Sequence, residues 1–206
     1  MSSLKEPAAM ASRYGEYKYF KSMEGEDVFF FGRVSSTMDI AGEFIKEGRT
    51  AVIVADEQAR GRGRYGRFWF SPGGGLYFSW AMKGEGRMPF FISELAAFSL
   101  LETIRFFKII CNIKFPNDII SENGKKLAGI LIEKKGSFYN IGIGINVNNN
   151  VSFADSATSM CLAAGKPFYE KEGILRRFIL LFNANKKQFT ENEVKCLKKW
   201  SDNLIK

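Results

Sequence analysis

Short apolar runs and amphipathic segments alternate along the first half of the chain and predict strands and helices in turn. The runs at 28–31, 51–55 and 76–82 are apolar and short enough for buried strands. Ser36 lies in a helix N-cap signal, after which apolar side chains recur at helical spacing. The longest amphipathic segment predicts a helix over 90–107.

The second half of the chain predicts three further strands and then only helices. The strands fall at 113–120, 127–133 and 138–147. The helices fall at 157–164, 171–189 and 192–204. Asn123-Gly124 is a hairpin signal, and a tight turn near residue 136 predicts another antiparallel pair. The predicted fold class is therefore α+β, with a mixed, mostly antiparallel sheet flanked by helices.

The length of 206 residues predicts one main domain, because a domain usually takes roughly 100–200 residues. Residues 1–26 are small, polar and charged, and we expect a loose N-terminal lead-in there with room for one short helix. Residues 27–206 then form the folded domain. A DNA-binding helix-turn-helix module would need roughly 55–65 residues, so we expect none before the core.

Composition narrows the chemistry that the chain can perform. It has no histidine, which excludes Ser-His and Cys-His nucleophile pairs and imidazole acid–base catalysis. Its three cysteines are odd in number and widely spaced, as expected in a reducing compartment, so we expect a cytoplasmic protein. We expect neither a leader peptide nor a membrane-spanning segment. The net charge of +8 favours anionic partners, namely phosphate ligands, nucleic acid or an acidic protein surface.

Residues 61–69, with the sequence GRGRYGRFW, interleave three arginines with three glycines. Glycine lets a backbone approach an anion closely, and the guanidinium groups of Arg62, Arg64 and Arg67 can bind phosphate or carboxylate in a bidentate manner. Three interpretations stay open from these residues alone: a solvated cationic loop, a nucleic-acid-binding segment and a phosphate cradle. The segment is neither a Walker loop nor a dinucleotide-binding fingerprint, since it lacks Gly-Lys-Ser/Thr and no helix begins there.

Three other segments carry candidate chemistry. In KFPND at 114–118, the proline either breaks the strand or puts it at the edge of the sheet. The lysine of this segment either lines a pocket or caps the end of the strand. KLAGILIE at 126–133 has Gly129 inside a strand, which marks a close approach or a bulge, while its first lysine alone suits a solvated charge. GIGINVN at 142–148 leaves one strand face without side chains, so a backbone, a crossing helix or a ligand must cover it.

Taken in order, these segments resemble the biotin protein ligases. The matching residues are Ser36-Thr37, Gln58 with GRGRYGRFW, KFPNDI at 114–119, KLAGILIE and GIGINVN. The resemblance implies a fold like that of class II aminoacyl-tRNA synthetase catalytic domains. It also implies a reaction in two steps, in which ATP and biotin form biotinyl-5′-AMP and the biotinyl group then passes to a lysine of a biotin carboxyl carrier domain. Neither step needs an imidazole, because positioning and charge neutralisation by Arg, Lys and Mg²⁺ suffice.

The resemblance also assigns roles to individual residues. Lys114 would bridge the biotin carboxylate and the α-phosphate of ATP, and Arg62 and Arg64 would act with it from a closing loop as catalytic cations. The biotin-binding residues that it implies are Ser36, Thr37, Met38, Gln58, Gly61, Arg62, Gly63, Arg64, Lys114, Lys126 and Gly129. The ATP-binding residues that it implies are Arg64, Arg67, Trp69 beside the adenine, Lys114, Asn117, Lys126 and Asn146. Mg²⁺ would be held mainly by the ATP phosphates, with Asn146 on the metal side.

The sequence departs from the family pattern in a few places. Met38 stands where the family often has Asn, which removes a polar contact, and Phe115 stands where it usually has Trp. The residues after Asn146 look helical, so we do not expect the small C-terminal β-domain of most members.

The expected partners are biotin, ATP and the carrier domain of a carboxylase, without DNA or membrane, in a monomer or homodimer. One alternative is a lipoate or octanoate ligase or transferase of the same fold, whose typical Arg-Arg-x-Ser-Gly-Gly-Gly loop is absent here. The other is a basic nucleic-acid-binding module that stacks bases on the aromatic residues of GRGRYGRFW.

Overall fold

The computed structural model describes residues 7–84, 91–152, 154–191, 198 and 201–205. In chain order the elements are α1 (Pro7–Tyr14), β1 (Tyr17–Lys21), β2 (Asp27–Val34), α2 (Thr37–Lys46), β3 (Ala51–Gln58), a 3₁₀ turn (Arg64–Gly66), β4 (Leu76–Lys83), α3 (Phe91–Phe106), β5 (Cys111–Lys114), β6 (Asp118–Ser121), β7 (Lys126–Lys135), β8 (Phe138–Ile145), α4 (Met160–Ala164) and α5 (Lys171–Glu191). None of the described helices combines the length and the apolar character needed to cross a membrane.

The strands form one eight-stranded sheet in the order β1-β2-β3-β4-β8-β7-β6-β5. The pair β2–β3 is parallel, whereas β1–β2, β3–β4, β5–β6 and β6–β7 are antiparallel. The α+β class and the mostly antiparallel sheet are therefore confirmed. The parallel pair arises because α2 connects β2 to β3 and returns the chain in the same direction.

The internal contacts divide the chain into two compact units. Unit 1 comprises Met1–Gly86 and Leu131–Gly144, and unit 2 comprises Arg87–Ile130 and Ile145–Lys206.

The core of unit 1 is rich in aromatic side chains. Phe29, Phe31 and Phe44 are buried in one cluster with Met10 of α1. Tyr17 of β1 packs against this cluster from a hairpin with β2, where it is opposite Phe31. Residues 7–21 are thus part of the folded unit, whereas the sequence predicted a loose lead-in with one short helix.

The core of unit 2 includes α3, which packs against α5. The buried apolar side chains of α5 recur at helical spacing, with Ile174, Phe178 and Phe182 fully enclosed. Asn185 adds a polar contact, since its Nδ2 donates to the Ser99 hydroxyl at 3.1 Å.

Two predicted elements have different bounds in the structure. The strand predicted over 113–120, which Pro116 was expected either to break or to place at an edge, is broken there into the hairpin of β5 and β6, because Pro116 lacks an N–H donor and ends the ladder between them. The helix predicted over 157–164 begins at Met160, since Ala157 instead forms a β-bridge with Lys126. Most of the helix predicted over 192–204 lies outside the described residues.

Candidate active site

The start of α2 carries a network of polar side chains inside unit 1. The Thr37 N–H and hydroxyl both donate to Gln58 Oε1, at 2.9 and 3.1 Å. The Thr37 hydroxyl also lies 2.8 Å from Ser79 Oγ on β4. Gln58 Nε2 in turn donates to Ser71 Oγ at 2.9 Å. The structure therefore brings together two predicted site residues, Thr37 and Gln58, and adds two serines that the sequence analysis missed.

Ser36 occupies the N-cap of α2 but does not cap the helix with its side chain. Its hydroxyl is buried in a residue that is only 1% exposed, and it has no hydrogen-bond partner among the described residues. A buried polar group that is left unsatisfied costs about 1–3 kcal/mol. A ligand atom that hydrogen-bonds to Ser36 Oγ would recover this free energy, which agrees with the predicted role of Ser36 in binding.

The loop GRGRYGRFW folds back on itself. The Trp69 N–H donates to the Gly61 carbonyl at 2.9 Å, and the Gly63 N–H donates to the Arg67 carbonyl at 2.7 Å. A side chain at position 61 would collide with the Trp69 carbonyl and Ser71 Oγ, so this position requires glycine. At the tip, Tyr65 adopts a left-handed conformation with φ of 58°. Backbone hydrogen bonds thus join the two arms of the loop, and the arginines extend from this hairpin.

Arginine side chains of this loop make different contacts. Arg62 Nη1 lies 2.6 Å from Asp39 Oδ1, and its Nη2 lies 3.7 Å from Glu133 Oε1. Arg64 Nη2 donates to the Tyr65 hydroxyl at 2.9 Å. Arg67 is exposed. Asp39 and Glu133 had no predicted role, although both carboxylates lie in or beside the quoted motifs.

Side chains cover the bare face of the GIGINVN strand. A Cβ atom at Gly142 would lie 2.7 Å from Met38 Sδ, and one at Gly144 would collide with the Trp69 indole. Asn140 of the same strand donates from Nδ2 to the Met38 carbonyl at 2.8 Å. The crossing helix weighed as one interpretation is therefore α2 at Gly142, whereas Gly144 accommodates a tryptophan from the loop. The predicted contact of Trp69 with adenine stays a prediction.

In unit 2, the KFPND and KLAG segments lie side by side. Asp118 of β6 is opposite Gly129 of β7. Its carboxylate forms an ion pair with Lys126, with 2.7 Å between Oδ1 and Nζ. Asn117 Nδ2 donates to the Ile130 carbonyl at 2.9 Å, while the Ile130 N–H donates to the Asn117 carbonyl at 2.9 Å. Asn117 thereby fixes the junction of the two strands.

The two lysines of these segments differ in environment. Lys114 is the last residue of β5 and is exposed. Lys126 begins β7, is half-buried, and is held by Asp118. A lysine at a strand end with an exposed side chain can approach an anionic ligand, so Lys114 suits the role that the sequence assigned to it.

Asn146 follows β8 directly and is buried. Its Oδ1 accepts a hydrogen bond from Asn149 Nδ2 at 3.0 Å, and its backbone N–H donates to the Leu127 carbonyl at 2.9 Å. In the described part of the chain, no three Cys, Asp or Glu side chains group into a metal site. The expectation that Mg²⁺ is held mainly by the ATP phosphates stays a prediction.

Comparison with known proteins shows the family of the chain. Residues 30–148 match the model of the biotin/lipoate A/B protein ligase family. The bifunctional ligase/repressor BirA of Bacillus subtilis is 31% identical over 196 residues, a match that covers 87% of this chain and 59% of BirA. The chain belongs to the biotin/lipoate A/B protein ligase family. It spans about 59% of the length of that curated relative.

Solved structures of biotin protein ligases resemble this one. The Aquifex aeolicus enzyme in complex with biotin and ATP superimposes with a TM-score of 0.71 at 31% identity, over 80% of this chain and 72% of that chain. The Leishmania major enzyme in complex with biotinyl-5-AMP gives a TM-score of 0.74 at 24% identity, over 86% and 81%, which is a likeness of fold.

Proposed function

We propose that this protein joins biotin to ATP, forming biotinyl-5′-AMP and pyrophosphate, and then transfers the biotinyl group to a lysine of a biotin carboxyl carrier domain. The observation that carries the proposal is the family match over residues 30–148, because every site residue assigned from the sequence lies within that range. The Aquifex aeolicus relative, which was solved with biotin and ATP, supports the same pair of substrates.

In the first step a biotin carboxylate oxygen attacks the α-phosphorus of ATP while the bond to the pyrophosphate oxygen breaks. Two anions must approach each other, so cationic groups that neutralise the growing charge lower the barrier. We assign this role to Lys114, Arg62 and Arg64. ATP would bind as its Mg²⁺ complex, with the metal held mainly by the phosphates.

In the second step the amine of the acceptor lysine attacks the carbonyl carbon of the mixed anhydride. An amide bond forms, the bond to AMP breaks, and the proton of the amine passes to solvent water. The absence of histidine is compatible with this step, because the mixed anhydride already activates the carbonyl carbon and AMP is a good leaving group.

Binding of the two substrates divides between the remaining residues. Ser36, Thr37 and Gln58 bind the polar ring end of biotin, and the backbone near Gly129 lines the slot for its apolar part. The other residues that we assign to biotin are Met38, Gly61 and Gly63. The residues that we assign to ATP besides the catalytic cations are Arg67, Trp69, Asn117, Lys126 and Asn146. The unpartnered Ser36 hydroxyl supports the first assignment, since it offers a buried hydrogen bond that the described residues leave open.

The test is pyrophosphate release from ATP with biotin, or with lipoate in its place. We expect release with biotin only, and Lys114→Ala should slow it at least about 100-fold if the amine contributes as much as one oxyanion donor. Lys83→Ala is the matched control, because Lys83 is likewise an exposed lysine at the end of a strand. Release with lipoate alone would establish the alternative branch of the family instead.

A second assay addresses acceptor transfer and the basic surface. Transfer of labelled biotin to a purified carrier domain should require ATP and should stop in Lys114→Ala. Salt-sensitive binding to single-stranded nucleic acid, without any turnover of ATP and biotin, would instead support a nucleic-acid-binding module.

The cytoplasmic location is part of the proposal and is supported by Cys111 and Cys161, which are free thiols.

A further inference from the structure

Residues 203–205, which we call the edge segment, run alongside β5 within unit 2. The Ile113 N–H donates to the Asn203 carbonyl at 3.0 Å, and the Ile205 N–H donates to the Ile113 carbonyl at 3.0 Å. Leu204 and Ile113 form a parallel bridge. The edge segment therefore adds a short parallel strand to β5.

Arg105, at the end of α3, forms hydrogen bonds with both β5 and the edge segment. Its Nη1 donates to Asn203 Oδ1 at 2.7 Å. Its Nε and Nη2 donate to the Cys111 carbonyl at 3.2 and 2.9 Å, and Nη2 also donates to Asn112 Oδ1 at 3.1 Å. One guanidinium group thus links α3, β5 and the edge segment.

These contacts cover the side of β5 that faces away from β6. In an antiparallel pair, successive residues point their backbone groups alternately toward and away from the partner strand. Ile113 uses both of its groups on the edge segment, and Cys111 directs its carbonyl to Arg105. Asn112 and Lys114 accordingly face β6, where Lys114 is opposite Asp118.

The strand that carries Lys114 is short and needs this support. β5 has only four residues and is followed directly by Phe115 and Pro116. A short strand held on one side opens easily, because few hydrogen bonds oppose fraying. The edge segment makes β5 an internal strand at Ile113, one residue before the proposed catalytic lysine.

We infer that Arg105 and Asn203 are positioning residues for Lys114: they clamp the edge segment to β5 and thereby fix the backbone from which the lysine extends. The inference rests on the proposed function for the role of Lys114. A misplacement of about 1 Å can cost as much as 100-fold in rate, so fraying of β5 should slow adenylation without removing any ligand contact.

The first test removes the side chain that receives the Arg105 bond. We expect Asn203→Ala to lower kcat for pyrophosphate release about three- to tenfold, with KM for biotin and ATP changed less than about twofold. The Ile113 amide should exchange with solvent faster, because its acceptor belongs to the loosened segment. The neighbouring Asp202→Ala is the control and should behave as the unmodified protein, since Asp202 has an exposed side chain.

A conservative variant of Asn203 and a double variant with Lys114 distinguish a positioning role from a general loss of stability. Asn203→Asp keeps an acceptor for Arg105 and should retain the original kcat. In a Lys114→Ala background, Asn203→Ala should cause no further loss of rate, because the group that it positions is gone. Equal impairment of the Ala and Asp variants, or an equal loss in both backgrounds, would overturn the inference.

The two proposals can fail independently. An unmodified protein that releases no pyrophosphate with biotin would refute the proposed function. An active protein whose Asn203→Ala variant keeps both its kcat and its slow exchange at Ile113 would refute only the clamp.

Discussion

The guanidinium group of Arg62 lies against the carboxylate of Asp39, with 2.6 Å between Nη1 and Oδ1. Glu133 approaches the other side of Arg62 at 3.7 Å and is itself 3.3 Å from Lys135. Two carboxylates of the protein therefore contact a cation that we assign to the carboxylate of biotin. An internal counter-ion competes with an external one, so the pair should hold Arg62 in a ligand-free arrangement.

Asp39→Asn should strengthen biotin binding. The substitution removes one competing charge, and an exposed ion pair contributes at most about 1 kcal/mol, so we expect Kd for biotin to fall about two- to fivefold. The side chains of the pair are 40% and 50% exposed, so the free energy of unfolding should change by less than about 1 kcal/mol. Isothermal titration of biotin measures the first quantity and urea unfolding the second.

Glu47→Gln is the control for that experiment. Glu47 lies just after α2 and pairs with Arg49 at 3.3 Å. The substitution therefore removes one negative charge but leaves the ion pair of Arg62 with Asp39 in place. Weaker or unchanged biotin binding in Asp39→Asn would mean that Arg62 meets its ligand without leaving Asp39.

Ser36 and Ser79 offer the same substitution with opposite expected results. Ser36→Ala removes a buried hydroxyl without a partner among the described residues, so stability should be unchanged or slightly higher. Biotin affinity should fall about tenfold, the equivalent of one hydrogen bond of about 1.4 kcal/mol. Thermal unfolding and titration of biotin on one preparation test both statements.

Ser79→Ala is the matched variant in this comparison. It removes the 2.8 Å contact with Thr37 Oγ1 inside the protein, so the free energy of unfolding should fall by about 1 kcal/mol. A loss of stability in Ser36→Ala, with biotin affinity intact, would show that the Ser36 hydroxyl serves the fold and not the ligand.

Much of the fold follows from local patterns, and the exceptions have physical reasons. Apolar runs such as 51–55 and the helical spacing that follows the N-cap signal of α2 predict their elements correctly, because these patterns involve only residues close in sequence. The Ser36 side chain itself makes no capping hydrogen bond. β1 was missed because its side chains are mostly exposed or half-buried, and only pairing with β2 makes it a strand. The apolar pattern over 113–120 shows a single run, and only Pro116 within it indicates the division into β5 and β6.

The candidate site was predictable as a set of motifs, but its contacts were not. Residue types indicated that the face with Gly142 and Gly144 must be covered, yet the cover comes from Met38 and Trp69, far away in sequence. Ser79 was a usable signal, because it is a polar residue in an otherwise apolar strand.

Gly144→Ala should disturb the loop through Trp69. A methyl group at this position collides with the indole ring, so the ring must shift, and overpacking of this kind costs about 1–3 kcal/mol. We expect a lower melting temperature and weaker binding of ATP. Gly32→Ala is the control, because Gly32 also lies in a strand and a Cβ atom there would meet nothing within 4 Å. Equal stability of the two variants would contradict the packing of Trp69 on Gly144.

Stability should fall at alkaline pH through the Cys111 thiol. Burial raises the pKa of Cys111 to about 11, although the nearby charge of Arg105 lowers it in part. An unfolded thiol has a pKa of about 8.5, so between these values the unfolded chain releases a proton that the folded chain retains. The free energy of unfolding must therefore decrease as pH rises through this window.

Comparison with Cys111→Ala isolates this contribution. Urea unfolding of both proteins at pH 7.5 and pH 10 should show a decrease that is about 2 kcal/mol larger in the unmodified protein. The Tyr77 hydroxyl, whose pKa is also raised by burial, contributes equally to both proteins and cancels. The same pH dependence in both proteins would place the Cys111 thiol in contact with solvent.

Arg64→Gly should release the reactive intermediate. Arg64 is the first residue of the 3₁₀ turn at the loop tip. Its guanidinium carbon lies 4.9 Å from the centre of the Tyr65 ring. Glycine removes that contact and the cation that we assign to the phosphates, and it frees the backbone. Biotinyl-5′-AMP should then escape before transfer and modify exposed lysines of bystander proteins, which appears as diffuse labelling on a streptavidin blot. Arg60→Gly is the control, because Arg60 is an exposed arginine one residue before the loop. Labelling no greater than in that control would mean that Arg64 does not retain the intermediate.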